Sequence, residues 1–307
     1  MLKYVIRRFI QTIPVIIGVT FLVFLLMFLI PGDPAQIMAG EAARPEQVEQ
    51  MRERLGLNDP VLVQYGKYVG NLLQGDLGNS IRSNRAVSDE IQTRFWTTVQ
   101  LAFYSTILSV FIGLIAGIVS AVRHYTVSDV VIMIIALFGL SMPNFWLGLM
   151  MIQFFSSSLG WFPPSGWGAD WKQMVMPVLA LGTGGAAIIA RMTRSSMLEV
   201  VTQDYIRTAR AKGVSERLVI YKHALKNALI PVVTVVGLEF GGLLGGAVLT
   251  ETVFAINGMG RLIIQSINAR DFPVVQGTIL VLALLFVVVN LLVDISYRYL
   301  NKRIDLN

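Results

Sequence analysis

Long apolar runs constrain this chain more than any other feature of its sequence. Six such runs occupy residues 9–30, 98–122, 130–155, 175–190, 229–249 and 274–293. Several of them exceed the roughly 18 residues that a helix needs to cross the hydrocarbon core of a bilayer. Charged residues make up 14% of the 307 residues, against about 25% in an ordinary globular chain. The sequence therefore predicts an all-α integral membrane protein with six transmembrane helices.

Basic residues predict how these helices are oriented in the membrane. Lys3, Arg7 and Arg8 precede the first run, and most other Lys and Arg residues of the short loops fall on the same side if all six runs cross. The positive-inside rule places this side, with both termini, in the cytosol. Because the first run is longer than the about 7–15 apolar residues of a cleaved signal peptide, we expect a retained anchor helix.

The composition divides the chain into four parts. They are the N-terminal flank with the anchor helix (1–30), an extracytoplasmic segment (31–95), a transmembrane domain of five helices (96–294) and a cytosolic tail (295–307). Within the extracytoplasmic segment, Pro45 predicts the start of a helix that stops near Gly56. Residues 61–73 have the amphipathic pattern of a second helix.

A proline at position 143 lies midway through the third predicted helix. Proline removes a backbone hydrogen-bond donor, and its ring clashes with the preceding turn of a helix. We therefore expect a kink at Pro143 in a helix that otherwise crosses the membrane over residues 130–155.

Several kinds of chemistry are excluded or disfavoured by composition. The chain has no cysteine and two histidines, which excludes disulfides and disfavours zinc sites built from Cys and His. The glycine run GTGG (182–185) lacks the GxxxxGK[ST] pattern of a phosphate-binding loop. We expect no catalytic residues in this chain and no metal or cofactor bound by it. We also expect no nucleic-acid partner, because the basic residues behind its net charge of +6 lie in loops beside apolar runs.

The most basic loop, residues 204–227, lies between the fourth and fifth runs. Asp204 is placed to cap a short helix over 205–212, which Gly213 ends by supplying a left-handed residue. Ser215 is placed to cap a second helix through about Asn227. One side of that helix is predicted to carry Leu218, Tyr221, Ala224 and Leu225. Spacing alone leaves two interpretations open: a docking surface for another protein, or a charged loop that only fixes orientation.

A carboxylate also lies inside the fifth run, in the stretch VVGLEFGGLLGG. Placing Glu239 at the centre of a membrane helix costs on the order of 2.5–3.5 kcal/mol. The side chain is therefore expected to face a polar cavity or a partner. We consider Glu239, Gly241 and Gly242 candidates for a translocation path, with a structural hydrogen bond as the alternative role of Glu239. The glycines around it favour close helix packing.

Several motifs, in order along nearly the whole chain, resemble those of one family. The chain is similar to the permease subunits of binding-protein-dependent ABC importers, in the dipeptide, oligopeptide and glutathione subgroup. The motifs are PGDPA (31–35), GLNDP (56–60), GDLGNS (75–80), SMPNFWLG (141–148), ARMTRSSMLEV (190–200), RTARAKG (207–213), HALKNALIPV (223–232) and ETVFAINGMGRLIIQSINARDFPVV (251–275). Arg207 and Thr208 depart from the Glu and Ala of the general family but match the subgroup. Asn257 stands where a proline is usual.

The resemblance implies a type I ABC importer permease fold in the plasma (inner) membrane of a prokaryote. It implies that the basic loop docks an ATP-hydrolysing subunit. The docking residues would be Arg207, Thr208, Ala209, Arg210, Ala211, Lys212 and Gly213. The implied partners are a second homologous permease, two ABC ATPases that hold ATP and Mg, an extracytoplasmic substrate-binding protein and membrane lipid. The implied cargo is a dipeptide, an oligopeptide or a related small peptide such as glutathione.

Two alternatives remain at this stage. The first is a proton-coupled secondary transporter that uses Glu239 as its relay and needs no ATPase. The second keeps the ABC architecture but imports a nickel chelate in place of a peptide.

Overall fold

A computed structural model describes residues 2–29, 33–40, 42–54 and 56–300. Within these residues the chain is helical and has no β-strand; an isolated antiparallel bridge joins Asn79 to Ala86. The chain divides into two compact units. The first unit comprises Met1–Thr98 and Asn257–Val287, and the second comprises Val99–Ile256 and Val288–Asn307.

The helices follow one another with short connections. In chain order they are α1 (Leu2–Leu29), α2 (Pro34–Ala39), α3 (Pro45–Arg54), α4 (Val61–Leu73), α5 (Val87–Val122), α6 (Val127–Ser141), α7 (Asn144–Met151), α8 (Lys172–Val201), α9 (Asp204–Ala211), α10 (Glu216–Leu218), α11 (Leu225–Gly246), α12 (Val248–Val253), α13 (Met259–Asn268) and α14 (Phe272–Leu300). Two π-helical segments, Ile152–Ser158 and Val219–Ala224, continue α7 and α10.

In the first unit, α4 packs along α1. The hydroxyl groups of Tyr65 and Thr20 are hydrogen-bonded at 2.9 Å, and the Tyr65 ring meets Phe21 edge-on with centroids 5.2 Å apart. Both helices predicted in this part of the sequence are confirmed: α3 begins at Pro45, and α4 has the predicted bounds. Gly56 has a left-handed φ of +65°, as expected of a residue that stops α3.

The first unit has its own apolar core. Side chains from α5, α13 and α14 contribute Val87, Ile91, Met259, Leu262, Ile263, Val274 and Leu282. A polar contact closes the same unit, since the buried carboxylate of Asp271 accepts hydrogen bonds from the Ser80 hydroxyl at 2.5 Å and from the Ile81 amide at 3.1 Å. This contact ties the GDLGNS turn to the start of α14.

In the second unit, α8 is the helix on which α6, α7 and α11 pack. It also lies very close to α5. A β-carbon at Gly113 would lie 2.7 Å from Ile189 of α8, and one at Gly117 would lie 2.6 Å from the carbonyl oxygen of Ala190. Only glycine fits at such distances, so these two positions allow the backbones of α5 and α8 to approach each other.

Five helical stretches are long and apolar enough to span a membrane. They are Ile6–Leu26, Val87–Val122, Lys172–Val201, Glu216–Gly245 and Phe272–Ser296. The predicted third span is not one kinked helix: α6 and the stretch Asn144–Ser158 meet at 98°. Met142 is extended there (φ −82°, ψ 128°), because a residue before proline is pushed out of the helical region. The predicted six spans are present if this bent pair crosses once.

The predicted boundaries differ from the observed helix ends mainly because the helices extend beyond their apolar parts. Helix α5 begins at Val87 rather than near residue 98, and α8 continues to Val201 beyond the predicted end at 190. The proposed limit between residues 294 and 295 falls inside α14. Outside the described residues lie positions 1, 30–32, 41, 55 and 301–307, which include part of the PGDPA motif and of the predicted tail.

Candidate functional site

The basic loop folds into two arms, which together we call the elbow (residues 204–227). The first arm is α9, which starts one residue earlier than predicted. Asp204 was expected to cap this helix from outside, but it lies within the first turn, and Gln203 takes the cap position with an extended backbone (φ −70°, ψ 149°). A carboxylate in the first turn still interacts favourably with the helix dipole.

The turn between the arms is a Schellman motif. Gly213 has a left-handed φ of +76°, which glycine adopts without steric strain. Its amide donates to the carbonyl oxygen of Arg210 at 2.9 Å, and the Val214 amide donates to that of Ala209 at 3.2 Å. These two bonds define the motif. The predicted left-handed stop at Gly213 is confirmed.

Ile206 anchors the first arm to the membrane helices. Its side chain is fully buried, in a core that also contains Met197 of α8 and Ala121 of α5. Val219 and Ala224 of the second arm belong to the same core, which we call the elbow core. Burying a side chain such as that of Ile206 stabilises the fold by about 1.5–3 kcal/mol. The inner face of the elbow is therefore fixed on the ends of α5 and α8.

The second arm begins at Ser215, as predicted, but does not stop at Asn227. It continues through α10 and the π-helical segment into α11, and the stretch Glu216–Gly245 forms one of the candidate membrane spans. Ser215 occupies the cap position without a side-chain cap bond. The arm is thus a direct extension of a membrane helix rather than a separate short helix.

The π-helical segment changes which side of the second arm is buried. Leu218 and Tyr221, predicted to share a side with Ala224, are 51% and 55% exposed, whereas Ala224 is fully buried. Hydrogen bonds in a π-helix reach five residues along the chain rather than four. Val219 and Ala224, five residues apart, therefore share the buried side. The predicted side was wrong for Leu218 and Tyr221 because it assumed a regular α-helical period, whereas Ala224 lies in the elbow core and Leu225 packs against it.

Two polar contacts link the arms on the outside. The Arg210 guanidinium donates to both carboxylate oxygens of Glu216, at 3.0 and 2.7 Å. The Asn227 amide donates to the Tyr205 hydroxyl at 2.7 Å. An exposed ion pair of this kind contributes about 0–1 kcal/mol, so the Arg210–Glu216 contact adds little to the stability of the elbow.

The outer face of α9 is open. The seven residues predicted to dock a partner all lie on α9 or its turn, and six are exposed, with Ala209 partly buried. The side chain of Arg207 is 72% exposed. Small side chains such as Ala211 lie between the cations, so another protein can approach the backbone of α9 closely. The structure brings these seven residues together on one accessible element.

Glu239 is half-buried in α11. Its Oε2 atom lies 3.4 Å from the point where a β-carbon on Gly185 of α8 would be, and Ser109 Oγ of α5 lies 2.9 Å from the same point. Within the described part of the chain, no donor forms a hydrogen bond with the Glu239 carboxylate. The side chain thus lies in a polar seam where α5, α8 and α11 meet.

The glycines near Glu239 differ in their surroundings. Gly237 packs closely, since a β-carbon there would lie 2.0 Å from Val293 of α14. Gly241 is buried. Gly242 and Gly245 face open space: among the described residues, no atom of another element lies within 4 Å of an added β-carbon. Close packing therefore explains Gly237, while Gly242 lies on an open face of α11.

Asp129 and Arg194 form a polar cluster that the sequence analysis missed; the Asp129 side chain is buried and that of Arg194 is 24% exposed. Arg194 Nε and Nη2 donate to the two carboxylate oxygens of Asp129 at 2.8 and 2.7 Å. The Tyr125 amide donates to Asp129 Oδ2 at 3.0 Å, and the Ser120 hydroxyl donates to Oδ1. Asp129 is 3% exposed. The signal in the sequence that could have revealed this cluster was the carboxylate of Asp129 at the edge of an apolar run.

Two family models together match nearly the whole chain. "Binding-protein-dependent transport system inner membrane component" matches residues 110–306. "Binding-prot-dependent transport system membrane comp, N-term" matches residues 1–102. The chain belongs to this family of inner membrane transport components. This permease is therefore a multi-pass inner membrane protein, and the family resemblance found in its motifs is confirmed.

Relatives of similar length match the permease from end to end. It is 48% identical to the dipeptide transport system permease protein DppB of Alkalihalophilus pseudofirmus, with 99% of each chain covered. It is 47% identical to the glutathione transport system permease protein GsiC of Escherichia coli, again with 99% of each chain covered. Both relatives are transport permeases, so the permease is a transport subunit.

Solved structures share the fold of the permease. A chain of the inward-facing MetNI methionine ABC transporter superposes with a TM-score of 0.59 at 23% identity, covering 68% of this chain and 95% of that one. A chain of an amino acid ABC transporter crystallised with histidines gives a TM-score of 0.54 at 16% identity, covering 76% and 98%. The predicted all-α fold of an ABC importer permease is confirmed.

Proposed function

We propose that this permease is the membrane subunit of an ATP-driven importer of dipeptides, oligopeptides or a related small peptide such as glutathione. The names of two full-length relatives, at 48% and 47% identity, support a peptide cargo. The observation that carries the proposal is the elbow, which is buried on its inner face at Ile206 and open on its outer face from Arg207 to Gly213.

The elbow docks a partner ATPase through the outer face of α9. The docking residues are Arg207, Thr208, Ala209, Arg210, Ala211, Lys212 and Gly213. ATP and Mg are bound by the partner, and this chain supplies no catalytic group. Because Ile206 joins α9 to the ends of α5 and α8, a displacement of α9 by the ATPase moves the membrane helices with it. Such coupling depends on differential packing in two states.

The complete importer needs further subunits. A second, homologous permease supplies the other half of the path, and two ATPases dock on the two elbows. An extracytoplasmic binding protein delivers the peptide, and lipid surrounds the spanning helices. Glu239, Gly241 and Gly242 line the path, where the carboxylate meets the positively charged amino terminus of a peptide.

Both termini and the elbow face the cytosol. Four crossings separate the N-terminus from the elbow when the bent pair of α6 and α7 counts as one crossing. With this count, Lys3, Arg7 and Arg8 fall on the same side as the basic residues of the elbow, and the positive-inside rule supports a cytosolic location for that side. A re-entrant bent pair would put the two basic regions on opposite sides. With the N-terminus in the cytosol, residues 31–95, which follow the first crossing, are extracytoplasmic.

Co-purification with the ATPases tests the docking role. Ala211 is exposed, and its replacement by a large side chain disturbs the outer face of α9 without entering the elbow core. We expect Ala211→Trp to lose the ATPase subunits during purification of the complex. Ala42→Trp, the same change at an exposed position of the 31–95 segment, is the matched control and retains them. Retention of the ATPases by Ala211→Trp would contradict the docking role.

Reconstitution distinguishes this function from the alternatives. We expect peptide uptake by the complete complex to require ATP. The permease alone in liposomes is expected to transport nothing when a proton gradient is applied. Gradient-driven uptake by the permease alone would support the secondary transporter instead. Uptake of a nickel chelate but not of peptides would support an ABC importer of the same architecture with a nickel chelate as its cargo.

A further inference from the structure

The cluster around Asp129 joins three elements at one end of the second unit. Ser120 lies near the end of α5, Tyr125 in the turn that follows, and Arg194 on α8. Asp129 itself belongs to the first turn of α6. All four donors converge on its two oxygens, so the carboxylate has a partner from each neighbouring element. We call this set of contacts the clasp.

The clasp lies directly beside the elbow core. Ala121, next to Ser120 in α5, belongs to that core, and so does Met197, one turn beyond Arg194 in α8. The same short stretches of α5 and α8 therefore hold Asp129 on one side and Ile206 on the other. The clasp connects α6 to the two helix ends that carry the elbow.

The geometry of the pair favours a rigid connection. Arg194 binds through two parallel N–H···O bonds, which fix orientation as well as distance. A lysine at position 194 would hold the Asp129 carboxylate less tightly than Arg194 does, because an ammonium group has no planar pair of N–H donors. The turn is constrained as well, because Tyr125 has a left-handed φ of +61° and its amide is bound to Asp129.

Stability is a weak explanation for such a pair. Replacing a buried ion pair by apolar or neutral groups of similar volume is often neutral or stabilising, whereas removing one partner is strongly destabilising. What the pair adds beyond a neutral replacement is a defined geometry between α6 and α8.

We propose that Asp129 and Arg194 are positioning residues for coupling: they make α6 move as one body with the ends of α5 and α8, so that displacement of the elbow reaches the bent span. This proposal rests on the proposed function of the elbow. Without the clasp, a displaced α9 still moves α8, but α6 follows with variable delay and angle. ATP hydrolysis then proceeds with less transport.

The test compares single and double variants in the complete complex reconstituted in liposomes. Asp129→Asn and Arg194→Met each leave one partner uncompensated, and we expect both to lower the Tm. The double variant Asp129→Asn/Arg194→Met removes both charges, and we expect it to regain the Tm and to retain the ATPases. Its number of peptides imported per ATP hydrolysed is expected to stay at least about fivefold below that of the wild type. A wild-type ratio in the double variant would overturn the proposal.

Arg194→Lys is a more conservative variant, which keeps the positive charge but loses the two parallel N–H donors of the guanidinium group. We expect a ratio of peptide to ATP between those of the wild type and the double variant. A wild-type ratio in Arg194→Lys, together with one in the double variant, would assign the pair to folding alone.

A distance measurement separates failure of the clasp from failure of the proposed function. The chain has no cysteine, so spin labels can be placed with Val127→Cys at the exposed start of α6 and Asp204→Cys on the elbow, where the side chain is 97% exposed and outside the docking residues. We expect a narrow distance distribution in the wild-type background and a broad one in the double variant. Equal widths would overturn the clasp even if ATP-driven import is shown. Absence of import with this broadening would reject the proposed function and leave the clasp supported.

Discussion

Gly213 in the elbow (φ +76°) and Gly168 in the loop before α8 (φ +81°) both combine a left-handed backbone with open surroundings. Alanine at either position meets no neighbour, so its cost is conformational, about 1–2 kcal/mol. We expect Gly213→Ala to speed hydrogen exchange in the turn after α9 and to weaken retention of the ATPases. Gly168→Ala is the matched control and leaves retention unchanged. Equal retention in both variants would contradict the role of the turn.

Glu239 provides a second prediction at this scale. No hydrogen bond within the described residues depends on its carboxylate, so Glu239→Gln is expected to leave assembly and ATPase retention intact. If the charge meets the amino terminus of the peptide, the uptake rate falls by about tenfold or more, equivalent to about 1.4 kcal/mol of barrier. Uptake kinetics of the reconstituted complex measure this directly. Unchanged kinetics would remove Glu239 from the path.

Individual residues were predictable where their role is local. The left-handed stop at Gly213 follows from a glycine after a basic helix, and the structure confirms it. The pairing of Asp129 with Arg194 was not predictable, because the two residues are 65 positions apart and meet only through the packing of α6 on α8. Long-range pairs of this kind carry no periodic signal in a single sequence.

At the scale of elements, the bent pair of α6 and α7 shows what hydropathy leaves out. The apolar run over 130–155 is continuous in composition, and Pro143 predicts an interruption. The size of the interruption, 98°, depends on tertiary packing: α7 lies against α8, and a β-carbon on Gly148 would lie 2.9 Å from the ring of Phe254. Sequence therefore locates the break, while packing sets its angle.

The π-helical segment Val219–Ala224 yields a prediction for the second arm. A π-helical segment acts as a one-residue insertion into an α-helix, so deletion of the exposed Tyr221 should restore a regular helix. Val219 and Ala224 then become four residues apart and remain on one face. We expect this deletion to retain the Tm and ATPase binding, whereas deletion of Leu238 in the regular part of α11 shifts the register and lowers the Tm. Similar losses of Tm in the two deletions would contradict the assignment.

At the scale of the whole molecule, apolar run length was sufficient to predict an all-α membrane protein, and ordered motifs were sufficient to predict its family. The positions of helix ends were harder to predict, because α5, α8 and the second arm extend past their apolar parts into polar sequence. The orientation in the membrane remains a prediction that rests on charge. The proposed docking role of the elbow depends on that orientation, since the proposed ATPases would bind from the cytosol.

Single-cysteine labelling tests orientation and docking together. The cysteine-free chain allows Lys212→Cys to be the unique target of a membrane-impermeant maleimide, with Ala42→Cys as the control in the 31–95 segment. We predict that intact cells label Ala42→Cys and spare Lys212→Cys. In inside-out vesicles, Lys212→Cys should react slowly with the ATPases bound and rapidly after their removal. Labelling of Lys212→Cys in intact cells, or a rate in vesicles that does not depend on the ATPases, would contradict a cytosolic docking elbow.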